Sequence, residues 1–294
     1  MKNLVLTFLF ALSIGFEAGA QTYTLTDDDV VVVDGIIKSC SYSFEFTDII
    51  IPQTLDGQTV IGIADYNSSE GITVFYQKGI TSVQLPQTIE EFGIYAFYNN
   101  PISNLDLSNF TNLRRIGGRS FYDNGIKTLK LSNCTLLDTI EYEAFYSNVI
   151  DTVLFNECSN LKYIGSSSFS NNSIDSINFS GCTSLKVIGP SAFYSNSLDQ
   201  VDLSPCTSLL EINTNAFYSN GSVPLTLPIV TGYSQYGWKN SLNNVFAGGD
   251  VITGPYNTFY WIPVPYTLTD DDVVVENGII KSCSYSFEFT DIII

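Results

Sequence analysis

A spacing of 24 residues recurs through the middle of this chain. Six phenylalanines keep it in strict register: Phe97, Phe121, Phe145, Phe169, Phe193 and Phe217. Columns of Leu, Ile or Val keep the same period, as does a column of Asn, a residue that commonly closes turns. Because one such repeat cannot bury its own apolar edge, the spacing predicts a solenoid in which successive copies stack along parallel strands.

Each repeat divides into short segments, and residues 174–197 serve as the example. The stretch Ile177-Asn178-Phe179 alternates apolar and polar residues, which predicts a short strand with one buried face. Residues 185–189 form a second extended segment, and Ala192-Phe193-Tyr194 predicts a short helical turn. No stretch has the length and pattern of a long helix. The predicted architecture is mainly β with short helical turns, a parallel strand ladder of about seven rungs, where a rung is one repeat of the solenoid.

Two segments of the repeat have a distinctive sequence: Val83-Gln84-Leu85-Pro86 in a predicted strand, and residues 188–193, which read Ile-Gly-Pro-Ser-Ala-Phe. They resemble the strand segment and the I-G-x-x-A-F segment of the leucine-rich repeat proteins of the BspA type, surface proteins of Bacteroidetes. The resemblance covers about residues 49–227. It implies a leucine-rich-repeat solenoid at a cell surface, with a function in binding or adhesion.

Changes of pattern outside the repeat set the predicted domain boundaries. Residues 21–48 are an N-terminal β lead or cap, residues 49–227 are the solenoid, and residues 228–265 are a small β unit rich in Gly and aromatic residues. This unit resembles the β-grasp-like B repeat of internalin-type surface proteins in its Gly-Tyr and Gly-Trp spacing. Its other interpretation is a cap over the open end of the solenoid.

The lead of the chain occurs twice. Residues 23–51 and 266–294 match at an offset of 243 residues and differ only at Val33/Glu276 and Asp34/Asn277. Residues 266–294 therefore predict the start of a second, truncated module, and a parent protein that is a longer tandem array. In such an array the solenoid has an alternative role as a structural spacer.

The first twenty residues predict export. Lys2 precedes an apolar run from Leu4 to Phe16, and Ala18-Gly19-Ala20 forms a small-residue cleavage site. Residues 1–20 therefore have the form of a secretory signal peptide. The apolar run is too short to span a bilayer, so we expect no membrane insertion of the mature chain. The predicted location is secreted or at the cell surface.

Composition argues against several classes of function. Asp and Glu number 30 against 12 Lys and Arg, for a net charge of −18, so there is no basic stripe to bind nucleic acid. The sequence has no histidine, no catalytic triad pattern and no phosphate-binding glycine loop. We therefore expect no enzyme activity, no catalytic residues, no metal site and no cofactor.

Three further features have competing interpretations. Four cysteines keep the 24-residue period from Cys134 to Cys206, which suits a buried column of thiols better than a redox or metal site. The triplet Asp27-Asp28-Asp29 suits a solvated turn or a calcium site. A tyrosine stripe suits packing around the turn or a surface for stacking sugars. It comprises Tyr98, Tyr122, Tyr146, Tyr194 and Tyr218.

The outward positions of the predicted strands form the candidate binding surface. They vary between repeats while the inward positions stay apolar, which suits recognition of an extracellular protein or glycan by a rigid surface. These positions are Asn104, Asp106, Thr128, Lys130, Thr152, Leu154, Ser176, Asn178, Gln200 and Asp202. The predicted function is a non-catalytic binding or adhesion module, and the alternative is the structural spacer.

Overall fold

The computed structural model describes residues 21–71, 73–230, 236–240, 244–252, 259–263, 266–267, 273–276, 279–283 and 292–293. The predicted signal peptide, residues 1–20, lies outside the described residues. Within them a 3-10 turn over Asp27–Asp29 is the only helical element, and the other elements are strands. No helix in this part of the chain is long and apolar enough to cross a membrane.

The chain begins with short strands that already belong to the solenoid. In order they are β1 (Thr22–Thr24), β2 (Val30–Val33), β3 (Ile36–Cys40), β4 (Asp48–Ile50), β5 (Thr54–Leu55), β6 (Gln58–Thr59), β7 (Gly62–Ile63), β8 (Ser82–Gln84) and β9 (Glu91–Phe92). β2 and β3 form an antiparallel hairpin, as do β5 and β6. β1 pairs in parallel with β4, and β3 with β7, so the lead takes part in both strand ladders.

The 24-residue repeats contribute two strands to each rung. They are β10 (Asn104–Asp106), β11 (Arg115–Ile116), β12 (Thr128–Lys130), β13 (Thr139–Ile140), β14 (Thr152–Leu154), β15 (Tyr163–Ile164), β16 (Ser176–Asn178), β17 (Val187–Ile188), β18 (Val201–Asp202), β19 (Glu211–Ile212) and β20 (Leu225–Thr226). Paired residues are 24 positions apart, as Leu105 with Leu129 and Ile116 with Ile140. This parallel register confirms the predicted solenoid.

Beyond the repeats, antiparallel pairing becomes common among the described strands. They are β21 (Tyr236–Asn240), β22 (Val245–Phe246), β23 (Val251–Ile252), β24 (Phe259–Pro263), β25 (Tyr266–Thr267), β26 (Val273–Glu276), β27 (Ile279–Cys283) and β28 (Ile292–Ile293). β24 pairs with β19, and β23 with β20, so antiparallel strands cover the last strand of each ladder. Trp238 is fully buried here, and its indole N–H donates to the Pro228 carbonyl at 3.0 Å. The internalin-like character of this unit stays a prediction.

The two strand sets form two sides of the solenoid. On one side a long sheet runs in the order β2-β3-β7-β9-β11-β13-β15-β17-β19-β24-β21-β22. Its parallel part, β3 to β19, has eight strands, one more than the seven predicted rungs because β3 lies in the lead. The other side, which we call the strand face, consists of three sheets: β1-β4-β8, β10-β12-β14-β16 and β18-β20-β23.

The phenylalanine column forms an aromatic ladder between these two sides. All six side chains are at most 1% exposed. Their rings stack nearly in parallel with centroids 5.1–5.4 Å apart, and Phe75 extends the stack by one rung at 5.0 Å from Phe97. Apolar columns on both ladders pack against it in one continuous core. Each rung therefore buries its apolar edge only against its neighbours, as a solenoid requires.

Left-handed turns replace the short helical turns that the sequence predicts around each phenylalanine. Ser191 and Ser195, which flank Ala192–Tyr194, have φ values of 54° and 55°. The Phe193 amide donates to the Ala216 carbonyl of the next rung at 2.7 Å, and not to a residue four positions earlier. Stacking thus satisfies backbone donors that a helix would have used internally.

The asparagine column ties neighbouring rungs together. The Asn148 side-chain amide donates to the Phe121 carbonyl of the preceding rung at 2.9 Å and to Phe145 at 3.2 Å. Its Oδ1 accepts the Ile126 amide at 3.1 Å. Equivalent bonds to the preceding rung recur at Asn172, Asn196 and Asn220. The column therefore closes the turn that follows each buried phenylalanine.

Candidate functional site on the strand face

Eight of the ten predicted binding residues lie together on the middle sheet of the strand face. One row, in direct register across β10, β12, β14 and β16, consists of Asn104, Thr128, Thr152 and Ser176. The second row, two residues further along each strand, consists of Asp106, Lys130, Leu154 and Asn178. Gln200, which directly precedes β18, and Asp202, which belongs to it, lie beyond a break in the strand face.

Several of these side chains have structural partners. Lys130 Nζ lies 2.9 Å from Asp106 Oδ2, an exposed ion pair of the kind worth at most about 1 kcal/mol. Burial alone would raise the pKa of Asp106, but hydrogen bonds from Lys130 and Ser108 outweigh it and lower the pKa. Asp202 Oδ1 accepts the Ser204 amide at 2.9 Å, which closes the turn after β18. Asp106 and Asp202 therefore also stabilise the fold through these contacts.

The strand face opens into a cleft between β16 and β18. The Asp199 amide donates to the Asp175 carbonyl at 3.1 Å just before these strands begin. Beyond that bond, no backbone pairing joins the described residues of β16 to those of β18. Ile177 is half-buried at this point, whereas the equivalent Val153 and Val201 are buried. The cleft has a volume of about 490 Å³ and is lined by Asp175, Ser176, Ile177, Asp199 and Gln200.

The cleft concentrates groups that bind ligands through hydrogen bonds. Two carboxylates, a hydroxyl and a side-chain amide surround the partly exposed Ile177. The facing edges of β16 and β18 add backbone groups that no neighbouring strand satisfies in the described structure. Unpaired strand edges are known sites for added main-chain hydrogen bonds. Two predicted binding residues, Ser176 and Gln200, belong to this cleft.

A charge network lies on the opposite side of the solenoid, on the long sheet. Arg115 Nε lies 2.7 Å from Glu141 Oε1. Arg115 Nη1 lies 3.3 Å from Asp65 Oδ1 and 3.6 Å from Glu91 Oε2. Burial alone would lower the pKa of Arg115, but these carboxylates raise it. A cleft of about 270 Å³ beside the network is lined by Ile36, Ile61, Glu90, Glu91, Arg114 and Arg115. Because these charged side chains pair with one another across rungs, we interpret the network as stabilising the stacking of the rungs.

The Asp27–Asp29 triplet caps its own turn. Asp29 Oδ2 accepts hydrogen bonds from Thr26 N and Thr26 Oγ1 at 2.7 Å each and from the Tyr23 hydroxyl at 2.9 Å. Burial alone would raise the pKa of Asp29, but these donors outweigh it and lower the pKa. Asp27 Oδ1 accepts the Asp56 amide at 2.6 Å. The second triplet, residues 270–272, lies outside the described residues, among which no three His, Cys, Asp or Glu side chains are grouped to hold a metal ion.

The periodic cysteines form a buried column of free thiols. Cys134, Cys158, Cys182 and Cys206 are fully buried and unbridged. The thiols of Cys134 and Cys158 donate to the Leu107 and Leu131 carbonyls at 3.1 Å. Burial raises the pKa of Cys182 to about 12. Since the thiolate is the reactive form, the column is chemically inert in the folded chain.

We expect the column to react with a thiol reagent only after unfolding. The variant Cys40→Ser/Cys283→Ser retains four of the six cysteines, all in the column. At mildly alkaline pH the folded variant should show almost no reaction with Ellman's reagent, and the same sample in denaturant should show all of its thiols. Rapid labelling of the folded variant would contradict the burial of the column.

The tyrosine stripe stacks along the solenoid axis. Tyr98 and Tyr122 lie 4.9 Å apart between ring centroids, as do Tyr122 and Tyr146. Ser170 interrupts the stripe, and Tyr194 and Tyr218 stack beyond it at 5.9 Å. The inner rings cover one another's faces, which leaves ring edges and hydroxyls towards solvent. This arrangement favours packing around the turn over the stacking of sugars on open ring faces.

Sequence reasoning missed two features of these surfaces. The interrupted pairing between β16 and β18 could not be predicted from the sequence, because both segments have the same alternation of polar and apolar residues as paired strands. Tyr95 and Arg119 stand outside the periodic stripe, yet stacking of the rungs brings them against Tyr98 and Tyr122, and Tyr66 packs against Tyr95. A search for aromatic residues in every column of the repeat, and not only in the regular ones, would have found the tyrosines but not Arg119.

The architecture and the motifs together identify the class of protein as a leucine-rich repeat solenoid. The family model for the BspA type leucine rich repeat region matches six copies, over residues 35–158, 68–196 and 135–243. These matches cover well over half of the chain, so the chain belongs to the BspA-type leucine-rich repeat family.

A comparison with solved structures adds a structural likeness. Among solved structures, the chain is similar to a leucine rich cell surface protein from Faecalibacterium prausnitzii A2-165, with a TM-score of 0.48 and 21% sequence identity. The match covers 71% of this chain and 55% of that chain, so it spans about half the length of the solved protein. No curated protein matches the sequence significantly.

Proposed function

We propose that this chain is a non-catalytic binding module, secreted or at the cell surface, that recognises an extracellular protein or glycan through its strand face. The observation that supports the proposal most is the cleft between β16 and β18. It is the point where polar side chains, a partly exposed apolar group and unpaired strand edges meet. The signal-like first twenty residues and the membership of a surface-protein family support the location.

The solenoid supplies a rigid frame for such a site. The stacked phenylalanines and the asparagine bonds hold each rung to its neighbours. Exposed polar side chains on a rigid sheet lose little conformational freedom when they bind. The cleft carboxylates, Asp175 and Asp199, accept hydrogen bonds or pair with a cationic group. The preferred ligand therefore presents N–H, ammonium, guanidinium or hydroxyl donors.

The test is a binding panel with matched variants. Residues 21–294 are presented to immobilised extracellular-matrix proteins, mucins and a glycan array. Asp175→Asn/Asp199→Asn removes both cleft charges, while Asp151→Asn changes the same column one rung earlier, outside the cleft. We expect a ligand whose affinity falls about tenfold or more in the double variant and stays unchanged in the control. Equal binding by all three proteins would refute the cleft as the site.

Two residues that do not line the cleft test how far the binding surface extends. Lys130→Glu places a carboxylate next to Asp106, and Asp202→Lys reverses the charge at β18. If the ligand covers the wider strand face, this pair of changes weakens its binding in a chain that still folds, with a modest drop in melting temperature from the lost ion pair and the lost Asp202–Ser204 hydrogen bond. Undiminished affinity would confine the ligand to the cleft.

A second candidate function is the structural spacer, which the duplicated lead favours. β25 pairs with β28 with the register of β1 and β4, and β26 pairs with β27 with the register and bulge of β2 and β3. The same local fold therefore forms twice along the chain. A panel without any ligand, from a chain shown to be folded, would favour the spacer.

A further inference from the structure

Seven tyrosines form one continuous surface at the turn between the strand face and the long sheet. We call it the tyrosine patch: Tyr66, Tyr76, Tyr95, Tyr98, Tyr122, Tyr142 and Tyr146. Six of the rings, all except that of Tyr142, lie 4.7–6.0 Å from a neighbouring ring between centroids. All seven side chains are partly accessible to solvent, and Tyr142 is 39% exposed.

Arg119 lies at the centre of the patch. Its guanidinium carbon lies 5.5, 5.9 and 5.7 Å from the ring centroids of Tyr95, Tyr122 and Tyr142, within the range of cation–π attraction. It also donates to the Tyr95 hydroxyl and, from Nε, to Glu143 Oε2 at 2.6 Å. The hydrogen bond that Arg119 donates to Glu143 is the main reason that the pKa of Arg119 is raised. Arg119 therefore links Tyr122, a member of the tyrosine stripe, to Tyr95 and Tyr142, which lie outside the stripe.

The fold does not need tyrosine in this stripe. Ser170 occupies the same column, and its carbonyl still accepts the Ser147 amide at 3.0 Å. The equivalent bond at Tyr146, from the Asp123 amide, is 2.9 Å long. A small polar residue thus supports the turn as well as tyrosine does. The aromatic rings add a surface, and the turn would form without them.

Two members of the patch hold unfavourable backbone conformations. Tyr95 and Arg119 have φ values of 60° and 54°, and Glu143, Ser167, Ser191 and Asn215 hold the same left-handed conformation at this position in later rungs. The conformation therefore belongs to the turn of the repeat, and this part of the solenoid differs in placing two large side chains there although bulky residues rarely adopt positive φ. Tyr95 and Arg119 contact each other at the centre of the patch.

The hydroxyl groups of the patch are available to a ligand. Within the described residues, Asn171 donates to the Tyr146 hydroxyl at 2.8 Å and Arg119 to that of Tyr95. No hydrogen bond in this part of the chain involves the other hydroxyls of the patch, which belong to Tyr66, Tyr76, Tyr98, Tyr122 and Tyr142. Tyrosine with a central arginine is the composition of protein-binding hot spots, where rigid rings supply area and hydroxyls supply hydrogen bonds.

We infer that the tyrosine patch is a second interaction surface, separate from the strand face, and that its partner is a protein segment rich in Lys or Arg. The chain carries a net charge of −18, which attracts a basic partner. Stacked rings hide their faces from one another, so the patch offers few open faces for sugar rings. The ion pair between Arg119 and Glu143 offsets the positive charge at the centre of the patch, and the surrounding hydroxyls accept hydrogen bonds from the donors of a basic peptide.

The experiment selects peptides on the folded chain. A display library of short random peptides is selected on residues 21–294 and counter-selected on Tyr98→Ser/Tyr122→Ser/Tyr146→Ser, a variant that copies the serine at position 170. We expect enriched peptides with an excess of Lys and Arg, bound about tenfold more weakly or worse by the triple variant. Selected peptides without basic residues, or with equal affinity for both proteins, would overturn the proposal.

Matched variants separate the patch from other effects. Tyr194→Ser/Tyr218→Ser changes the same column beyond the interruption, and it should leave peptide affinity unchanged. Asp175→Asn/Asp199→Asn should also leave peptide affinity unchanged. Failure of the strand-face proposal can therefore be distinguished from failure of the tyrosine-patch proposal. If the triple serine variant does not fold, Tyr98→Phe/Tyr122→Phe/Tyr146→Phe keeps the rings and removes the hydroxyls, and undiminished affinity in it would overturn the proposal. A glycan that binds the parent chain and is lost in the triple variant would also overturn the choice of a protein partner.

Discussion

Phe169→Ala is expected to destabilise the folded chain by about 3–5 kcal/mol. Phe169 is fully buried and stacks between Phe145 and Phe193 with centroids 5.2 and 5.1 Å away. Its ring also contacts the edge of Phe155 at 5.7 Å. The variant empties a site whose walls are fixed by the parallel pairing of the rungs, so the cavity cannot collapse easily. Chemical denaturation followed by circular dichroism measures the change in the free energy of unfolding.

An exposed substitution in the next rung supplies the control for this prediction. Thr183→Ala removes a small solvent-facing side chain and should change the free energy of unfolding by less than about 0.5 kcal/mol. A loss in Phe169→Ala no larger than in this control would refute the aromatic ladder as the source of stability. Unfolding should be followed by two probes, because a weakened rung in a solenoid can separate the transition into two steps.

Asn148→Asp is the second substitution with a large expected effect, a loss of about 3–5 kcal/mol at neutral pH. The Asn148 amide nitrogen donates to the Phe121 and Phe145 carbonyls at 2.9 and 3.2 Å in a buried turn. A carboxylate has no proton to donate, so it would face two carbonyl oxygens in a desolvated site. The variant therefore introduces a buried charge and leaves the Phe121 carbonyl without its side-chain donor, while the Phe145 carbonyl keeps the bond from Asn172 at 2.9 Å.

The loss in Asn148→Asp should depend on pH in a defined direction. Burial and the facing carbonyls raise the pKa of the introduced carboxyl group above its unfolded value. The protonated form is then favoured in the folded state, so the deficit is smallest below the unfolded pKa and grows as pH rises through the folded pKa. Denaturation at acidic and neutral pH tests this, with Asn104→Asp on the exposed strand face as control. Equal stability of the two variants at neutral pH would contradict the role of the asparagine column.

The solenoid was predictable from sequence because its determinants are periodic. Residues 24 positions apart share an environment, so the column from Phe97 to Phe217 and the register of Leu105 with Leu129 follow from spacing alone. The handedness of the turns did not follow. Ala192-Phe193-Tyr194 has local helix propensity, but the Phe193 amide donates to the next rung, an interaction that no local pattern encodes.

The candidate sites were only partly predictable, because they depend on contacts between unlike columns. The rows of outward side chains from Asn104 to Asn178 follow from the alternation within each strand. The cleft does not, since β16 and β18 have the same pattern as paired strands elsewhere. The tyrosine patch could not be predicted from the sequence either, because Arg119 contacts Tyr95 and Tyr142 of neighbouring rungs only after the rungs have stacked.

The proposed function places the ligand at the cleft between β16 and β18. Amide hydrogen exchange, measured on residues 21–294 with and without a ligand found by the binding panel, tests this location. Within the described residues, the Phe179 amide lacks the bond that the equivalent Phe155 amide donates to the Asn178 carbonyl of the next rung, whereas the Val201 amide already donates to the Pro224 carbonyl at 2.9 Å. Exchange at Phe179 should therefore be fast in the free chain and slow when the ligand is bound, with Val201 as the protected reference. Protection confined to other parts of the chain would contradict the claim.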